Sequence, residues 1–324
     1  MPCLFISLVG SLINHITSHP PPSQLLSVVT GVSDTNVRQP TGTLPNIPWR
    51  RAGVRHSPNE IYLDIVEEID AIVDIVGNVI SFDVAGSIQI QSKLSGIPDL
   101  LLTFKDPTVI DDCSFHPCVR YSRYEENQIV SFVPPDGNFT LMRYRVKSSA
   151  LHMGFTPPII CAPMLRYGNG DSKGGAGDEH AALNGSIDVK ITARSISTLF
   201  NMESRKGSVA IEDVSVAIPF PKNVKTANLK VNVGQVLYDE ASKVAKWTIG
   251  NLDEKMSPQL TGVMKLDGTK RPDENPPLSI TWKIPLASLS GLAVGGLSIT
   301  GEGYKPYKGV RNIAKSGRFQ VRCS

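Results

Sequence analysis

Short runs of alternating apolar and polar residues, separated by turn residues, fill the chain from residue 48 onward. The run 79–84 passes through Gly86 into the alternating 88–91, and Gly77-Asn78 supplies a turn ahead of both runs. Alternation with a period of two predicts strands with one buried face, and Gly-Asn between apolar runs predicts a hairpin. Further segments of this kind are 128–133, 141–146, 187–191, 209–218, 229–233, 244–249, 278–284 and 319–321. Many short strands with few helical stretches predict an all-β sandwich.

The segment 61–76 carries a conflicting pattern. Its apolar residues fall at helical spacing: Tyr62, Ile65, Val66, Ile69, Ile72, Val73 and Val76. This periodicity alone predicts an amphipathic helix. The enrichment in β-branched residues and the hairpin that follows favour a strand instead. The residues by themselves leave both interpretations open.

Three other segments have a composition of their own. Residues 4–13 are apolar, but no Lys or Arg precedes them, and ten residues are too short to cross a bilayer. Residues 14–49 are rich in Pro and Gly, so we expect 1–45 to be a linker or disordered tail. The Gly-rich stretch 166–186 lacks the Gly-Lys-Ser/Thr ending of a phosphate loop, which favours a flexible surface loop.

Composition narrows the functional classes. Of 324 residues, 41% are hydrophobic and 19% charged, which is ordinary for a globular protein. Five cysteines are an odd number without a regular framework, which favours a reducing cytosol over a disulfide-stapled secreted domain. Cys113 and Cys118 enclose His116, but three soft ligands without a second cluster favour packed thiols over zinc.

The chain shows none of the common catalytic signatures, so we expect neither an enzyme nor a metal or cofactor. An aromatic content of 6% and a basic tail without a stacking platform argue against nucleic acid as a partner. Acidic pairs such as Glu67-Glu68 lie on apolar strands, where solvated faces are the default expectation. A β-sandwich hydrolase stays open as an alternative, because a carboxylate pair is defined by its separation in space.

Charge is unevenly distributed between two segments. The C-terminal segment 304–322 carries six basic residues without an acidic one: Lys305, Lys308, Arg311, Lys315, Arg318 and Arg322. The segment 59–70 is acidic and apolar, and is therefore its natural complement. If the two segments meet, they leave a sheet edge flanked by a carboxylate and a guanidinium, which suits capture of an extended peptide. The basic strip is otherwise a solvated face or a contact for acidic phospholipid headgroups.

Several strings, taken in order, resemble the medium (mu) subunits of clathrin-type adaptor complexes, specifically their C-terminal mu homology domain. They include Asn46–Val54 (NIPWRRAGV), Ser131–Phe139 (SFVPPDGNF), Ser290–Leu292 (SGL) and Phe319–Arg322 (FQVR). The first and last of these are most similar to mu subunits of adaptor complex 3. The resemblance runs from about Asn46 to the C-terminus and is weaker between about 156 and 285.

The resemblance implies an elongated all-β, immunoglobulin-like β-sandwich with a second β-sandwich inserted. The first subdomain would comprise 46–155 and 286–324, and the second 156–285. The family also implies that 61–76 is a strand. A complete mu subunit begins with a longin-like domain, which nothing ahead of the linker resembles. We therefore expect either a truncated chain or a variant that does not join the large and small adaptor subunits normally.

The resemblance also implies a function in vesicle-mediated transport between Golgi or endosomes and lysosomes or related organelles. Such domains bind Tyr-x-x-Φ sorting signals, Φ being a bulky apolar residue, in cytosolic tails of membrane proteins by strand addition. The chain would then be cytoplasmic and peripheral on vesicle membranes. The alternative is a coat or scaffold protein of the same fold without peptide binding.

The family's tyrosine pocket maps onto five positions. Asp64 would accept the hydrogen bond of the cargo hydroxyl, Arg311 would cover the ring with its stem, and Tyr62 would line the pocket. Gly309 stands where plasma-membrane adaptors have tryptophan, and Gln91 where they have lysine. Both departures remove contact surface, which predicts weaker binding or altered preference around the tyrosine.

The remaining implied contacts lie around this pocket. The positions that receive Φ and support strand addition are Leu63, Val294, Leu297 and Val310. Lys305 and Lys308 are candidate contacts for phospholipid headgroups.

Overall fold

The computed structural model describes residues 47–151, 155–169, 183–195, 210–267 and 271–323. They contain sixteen strands: β1 (Glu60–Val73), β2 (Val79–Lys93), β3 (Asp99–Phe104), β4 (Ile110–Phe115), β5 (Val130–Phe132), β6 (Gly137–Val146), β7 (Ile159–Asn169), β8 (Leu183–Ala193), β9 (Ile211–Pro219), β10 (Val224–Val231), β11 (Gln235–Asp239), β12 (Val244–Leu252), β13 (Gln259–Leu266), β14 (Leu278–Pro285), β15 (Val294–Thr300) and β16 (Tyr307–Val321). One α-helix, α1 (Tyr121–Asn127), and two 3-10 turns, Pro107–Val109 and Ser148–Ala150, complete the regular structure. The predicted all-β class is confirmed. The predicted tail, 1–45, lies outside the described residues.

The described strands form three sheets. The largest has nine strands in the order β11-β12-β9-β14-β16-β1-β2-β6-β4. A second sheet has the order β10-β13-β8-β7, and a third has the order β15-β3-β5. The nine-stranded sheet includes strands from both predicted subdomains, joined where β14 pairs with β16. The predicted subdomain limits stay a prediction.

The segment with the conflicting pattern is strand β1. Its odd positions face the core, and Ile61, Leu63 and Ile65 have no exposed surface, whereas its even positions are half-buried. The helix that the apolar spacing predicts is therefore wrong, and the strand implied by the resemblance is confirmed. Period-two burial prevails because β-branched side chains pack well on a pleated surface between neighbouring strands.

Glu67 lies on the buried face of β1 and is 1% exposed. The expectation of a solvated face is therefore wrong for this residue. Glu68, the next residue, does face outward and forms a 2.8 Å ion pair with Lys315. The alternation of β1 separates two adjacent carboxylates onto opposite faces of the sheet.

The predicted meeting of the acidic and basic segments is confirmed. Strand β1 pairs with β16 in parallel, from Glu60 opposite Tyr307 to Val73 opposite Val321. Charged side chains on the outward face form ion pairs between the two strands, such as the 3.1 Å contact between Asp70 and Arg318. Such exposed ion pairs stabilise little, so the buried apolar row contributes most of the stability of the pairing.

The turns bear out part of the sequence analysis. Gly77 has φ +91°, and the Asp74 carboxylate accepts hydrogen bonds from the backbone N–H groups of Val76 and Asn78, closing the predicted hairpin. The predicted Gly-rich loop includes too many residues, because the two ends of the predicted range lie in β7 and β8 and pair with each other. Gly185 packs so closely on the ring of Tyr167 that a Cβ atom would lie 3.0 Å from it. This glycine serves packing, and residues 170–182 lie outside the described part.

The described cysteines are free thiols. Burial raises the pKa of Cys118 to about 12, which makes it a poor nucleophile. Within the described ranges, no group of three or more His, Cys, Asp or Glu residues could hold a metal ion. None of the described helices is long and apolar enough to cross a membrane.

Arg50 anchors the segment that precedes β1. Its side chain is 4% exposed, and its guanidinium donates to the backbone carbonyls of Leu94 (2.5 Å), Gly96 (2.7 Å) and Pro134 (2.9 Å). Burial lowers the pKa of Arg50, although the charge survives at every physiological pH. The planar fork therefore ties the segment before β1 to the ends of β2 and β5.

We predict that Arg50→Lys lowers the free energy of unfolding by about 2–4 kcal/mol, because an ammonium group cannot reach three carbonyls arranged around a planar fork. Urea denaturation of the full chain measures this loss. Arg51→Lys is the control, because Arg51 is exposed. Equal stability of the two variants would contradict the role given to Arg50.

Candidate functional site

Strand β16 has an open edge over its first five residues. Strand β14 pairs with β16 only as far as Ile313, which lies opposite Pro285. The N–H of Leu286 then donates to the carbonyl of Asn312 and ends this pairing. From Tyr307 to Arg311, β16 therefore has β1 on one side and no described strand on the other.

The backbone polarity of this edge follows from two hydrogen bonds. The N–H of Tyr307 donates to Asn59 ahead of β1, whereas the carbonyl of Asn312 faces β14. Because successive residues of a strand direct their N–H and C=O groups to opposite sides, Lys308 and Val310 direct theirs to the open side. These groups can pair with an added strand.

A cavity of about 810 Å³ lies on the outer face beside this edge. Asp64 and Arg311 lie at the same level of the β1–β16 pair and form a bidentate ion pair, with Nε–Oδ1 of 2.5 Å and Nη2–Oδ2 of 2.7 Å. Hydrogen bonding to Asp64 and its charge raise the pKa of Arg311. Each carboxylate oxygen has a second acceptor position, so the pair can still receive a hydroxyl donor.

Two tyrosines form the aromatic part of the cavity. The rings of Tyr62 and Tyr307 lie 5.6 Å apart at 49°, and Tyr307 is 61% exposed. A Cβ atom on Gly309 would lie 2.6 Å from the Tyr62 ring, so this ring covers the glycine. Burial and the nearby Glu60 carboxylate raise the pKa of Tyr62, which keeps its hydroxyl neutral. The aromatic surface at this site therefore comes from positions 62 and 307 rather than 309.

The structure brings all five predicted residues of the tyrosine pocket to this cavity and adds others. Its lining comprises Tyr62, Asp64, Gln89, Ile90, Gln91, Asn138, Phe139, Thr140, Tyr307, Gly309, Val310 and Arg311. Sequence reasoning missed the β6 residues, although the family-like string 131–139 ends among them. Their position follows from pairing, since Asn138 lies opposite Gln91 and Thr140 opposite Gln89. Tyr307 has no distinguishing signal in the sequence, because its place in the cavity depends on the contact of its ring with Tyr62.

Of the predicted Φ residues, Leu63 and Val310 direct their side chains to the inner face, opposite to Asp64 and Arg311, although Val310 also borders the cavity. Val310 is 45% exposed and lies level with Leu63, which has no exposed surface. Val294 and Leu297 are half-buried on β15. Leu63 can thus form only the floor of an apolar site, and Val310, Val294 and Leu297 its accessible walls.

Two side chains connect this edge to β15. The Lys308 ammonium donates to the carbonyl of Leu297 at 2.6 Å, and the Asn312 amide donates to that of Leu292 at 3.4 Å. Strand β15 therefore lies beneath the open edge of β16. Lys308 is engaged in this contact, whereas Lys305 is exposed ahead of β16.

Comparisons with known proteins agree with this architecture. The family model described as "Adaptor complexes medium subunit family" matches residues 47–323. The AP-3 complex subunit mu of Dictyostelium discoideum is 39% identical over 301 residues, covering 93% of this chain and 66% of that protein. The AP-3 complex subunit mu-1 of Rattus norvegicus is 42% identical over 306 residues, covering 93% of this chain and 68% of that protein. The chain thus spans about two thirds of the length of these relatives.

Solved structures show the same fold at low identity. The yeast delta-COP-I mu homology domain aligns with a TM-score of 0.55 and 14% identity, covering 83% of this chain and 100% of that domain. At this identity the alignment bears on the fold alone. Together, the match of the family model and the relatives near 40% identity establish that the chain belongs to the adaptor complex medium subunit family.

Proposed function

We propose that this chain is a cargo-recognition module of vesicle-mediated transport that binds Tyr-x-x-Φ peptides by adding them as a strand to β16. The observation that carries this proposal is the open edge Tyr307–Arg311, which has a polar, aromatic cavity on one face and apolar residues on the other. Backbone pairing would supply affinity without regard to sequence, and the two faces would supply selectivity.

The spacing of the signal fits this arrangement. In an extended strand, residues i and i+3 point to opposite faces and lie about 10 Å apart. A tyrosine directed to Asp64 on the outer face therefore places Φ on the inner face, where Val310 and Leu297 lie. A signal with Φ at an even offset would point both side chains to one face.

The chemistry of the outer face favours tyrosine over its close analogues. Asp64 would accept the phenol hydroxyl, while the stem of Arg311 covers the ring. Phenylalanine offers no donor to this pair, and phosphotyrosine brings negative charge against Asp64. The charged residues that line the cavity, Asp64 and Arg311, are joined to each other, so the site lacks the free acid or base that a hydrolase needs.

The family suggests the setting of this binding. The relatives are named as subunits of the AP-3 complex, so we propose large and small adaptor subunits as partners. A short peptide on a five-residue edge would bind in the micromolar range, about −8 kcal/mol, and several contacts at a vesicle surface would add avidity. Golgi or endosomal membranes and lysosome-related destinations fit the family, and exposed Lys305 is placed to contact acidic headgroups.

We predict that Asp64→Ser weakens binding of a Tyr-x-x-Leu peptide by about tenfold to a hundredfold, because it removes a charged acceptor from the phenol. The preference for Tyr over Phe in the peptide should fall in parallel. Isothermal titration calorimetry measures both quantities. Asp83→Ser is the matched control, because Asp83 also forms a 2.7 Å ion pair, with Arg145, but lies outside this cavity. Unchanged affinity in Asp64→Ser would remove Asp64 from the site.

We predict that Tyr307→Ala weakens binding of the same peptide about threefold to tenfold, the range expected for loss of one ring from an aromatic cluster. Tyr121→Ala is its control, because Tyr121 is 57% exposed and lies on α1, outside the cavity lining. Fluorescence anisotropy with a labelled peptide measures the change. If both alanine variants bind like the parent, Tyr307 is not part of the pocket.

We predict that Val310→Pro abolishes measurable peptide binding while the fold persists. Proline removes the N–H that faces the open side and adds a ring where the added strand would lie, and edge strands tolerate proline. Val310→Thr keeps the N–H and the β-branched shape, so it should retain most of the affinity. Circular dichroism checks folding, and titration with Tyr-x-x-Leu peptide checks binding. Full affinity in the proline variant would exclude strand addition at Val310.

A further inference from the structure

Glu67 is a buried carboxylate to which the binding site described above gives no role. Its Oε2 accepts hydrogen bonds from the Ser288 hydroxyl (3.0 Å) and from the N–H groups of Leu289 (2.5 Å) and Ser290 (3.1 Å). Its Oε1 accepts from the Tyr144 hydroxyl (3.0 Å) and from the Ser290 hydroxyl. Five donors therefore converge on one side chain, which is enough to satisfy a buried charge.

Four of the five donors to Glu67 belong to residues 288–290, in the connection between β14 and β15. This connection contains two residues with positive φ, Leu286 at +64° and Gly291 at +77°. A non-glycine residue in the left-handed region is strained, so the surrounding contacts must hold it in place. Charge-assisted hydrogen bonds to Glu67 supply such contacts.

The contacts of Glu67 also constrain the residues just before β15. The Ser290 hydroxyl accepts the N–H of Leu292 at 3.0 Å, and Leu292 is fully buried. The carbonyl of Ala293 then accepts the N–H of Lys105, and Val294 begins the pairing of β15 with β3. Hydrogen bonds to Ser290, together with the backbone from Leu292 to Val294, thus connect Glu67 to the strand that carries Val294 and Leu297.

Glu67 also links this series to the central sheet. Tyr144 lies on β6 and packs its ring against Gly86, where a Cβ atom would lie 2.0 Å from it. Burial raises the pKa of Tyr144, so its hydroxyl keeps its proton and remains a donor to Glu67. The carboxylate is thereby fixed on the sheet side by Tyr144 and on the loop side by Ser288–Ser290.

We propose that Glu67 is a positioning residue for peptide binding. It holds β15 at the distance from β16 that gives the apolar site beneath the β16 edge its shape. This inference rests on the proposed function, because it assigns the inner face to Φ. Glu67 follows Asp64 by three residues on β1 and points to the opposite face, so its effect should be confined to Φ. The tyrosine contacts of the outer face should not depend on it.

The test compares four peptides on the full chain: Tyr or Phe at the first position, each with Leu or Ala at Φ. In Glu67→Gln, an amide nitrogen, which donates hydrogen bonds, replaces a carboxylate oxygen that accepted them. This change removes part of the hydrogen bonding to residues 288–290. Ser290→Ala is a milder variant that removes one hydroxyl from the loop side. Glu68→Gln is the matched control, because it makes the same change in the adjacent carboxylate, which faces outward and pairs with Lys315.

We expect the affinity ratio of Leu over Ala at Φ to fall at least threefold in Glu67→Gln and in Ser290→Ala. The ratio of Tyr over Phe should stay within twofold of the parent, and Glu68→Gln should keep both ratios. A merely structural role would lower all affinities together and leave the ratios unchanged. Unchanged Leu/Ala ratios in both loop-side variants, with folded protein, would overturn the inference.

Hydrogen–deuterium exchange separates this inference from the proposed function. Amides of 292–300 should exchange at least threefold faster in Glu67→Gln and Ser290→Ala than in the parent, while those of 60–66 keep their rates. If the parent binds no Tyr-x-x-Leu peptide, the proposed function fails. In that case faster exchange in β15 still supports the positioning of β15 by Glu67, and unchanged exchange overturns it.

Discussion

The parallel pairing of β1 with β16 is the constraint on which the rest of the structure depends. It joins a segment near the start of the fold to the last strand, and it places both at the centre of the nine-stranded sheet. Parallel strands need long connections, so residues 74–306 must be accommodated between them. The fully buried row of Ile61, Leu63, Ile65 and Ile69 makes a slip of one residue prohibitive, because a slip would move the row to the solvent face.

An open edge exists because β14 covers only part of β16. The strained backbone of Leu286 turns the chain away after Pro285, and β16 continues for five residues without a described neighbour on that side. Exposed edges invite unwanted pairing, and short length and charged side chains are the usual protections. Here the edge has five residues, and Lys308 and Arg311 lie on it. Its short length and these charges make the edge unfavourable for pairing with a long strand.

The class of the fold and the charged pair of the site could be predicted from the sequence. The other residues of the site and the role of Glu67 could not. Alternation and turn residues predict the β class, but local periodicity could not separate helix from strand at β1, since both patterns fit its Ile and Val residues. Complementary charge brought the two end segments together, and the family resemblance singled out Asp64 and Arg311. The role of Tyr307 could not be predicted, because it depends on which ring covers Gly309 in three dimensions. Glu67 has the sequence context of a solvated charge, because four of its five donors lie more than 200 residues away along the chain, at positions 288–290.

The proposed recognition uses two faces of one strand pair, which has a physical consequence for specificity. The outer face is formed by Asp64, Arg311 and two tyrosine rings, whereas the inner face is formed by apolar residues whose position depends on β15. Alternation directs Asp64 and Arg311 to the outer face and Leu63 and Val310 to the inner face. Under the proposed function, changes at Gly309 or Gln91 would alter preference around the tyrosine without disturbing the apolar site. Changes in the connection before β15 would alter the apolar preference alone. Strand β1 keeps the two proposed contacts in register, because Asp64 points to the outer face and the adjacent Leu63, level with Val310, points to the inner face.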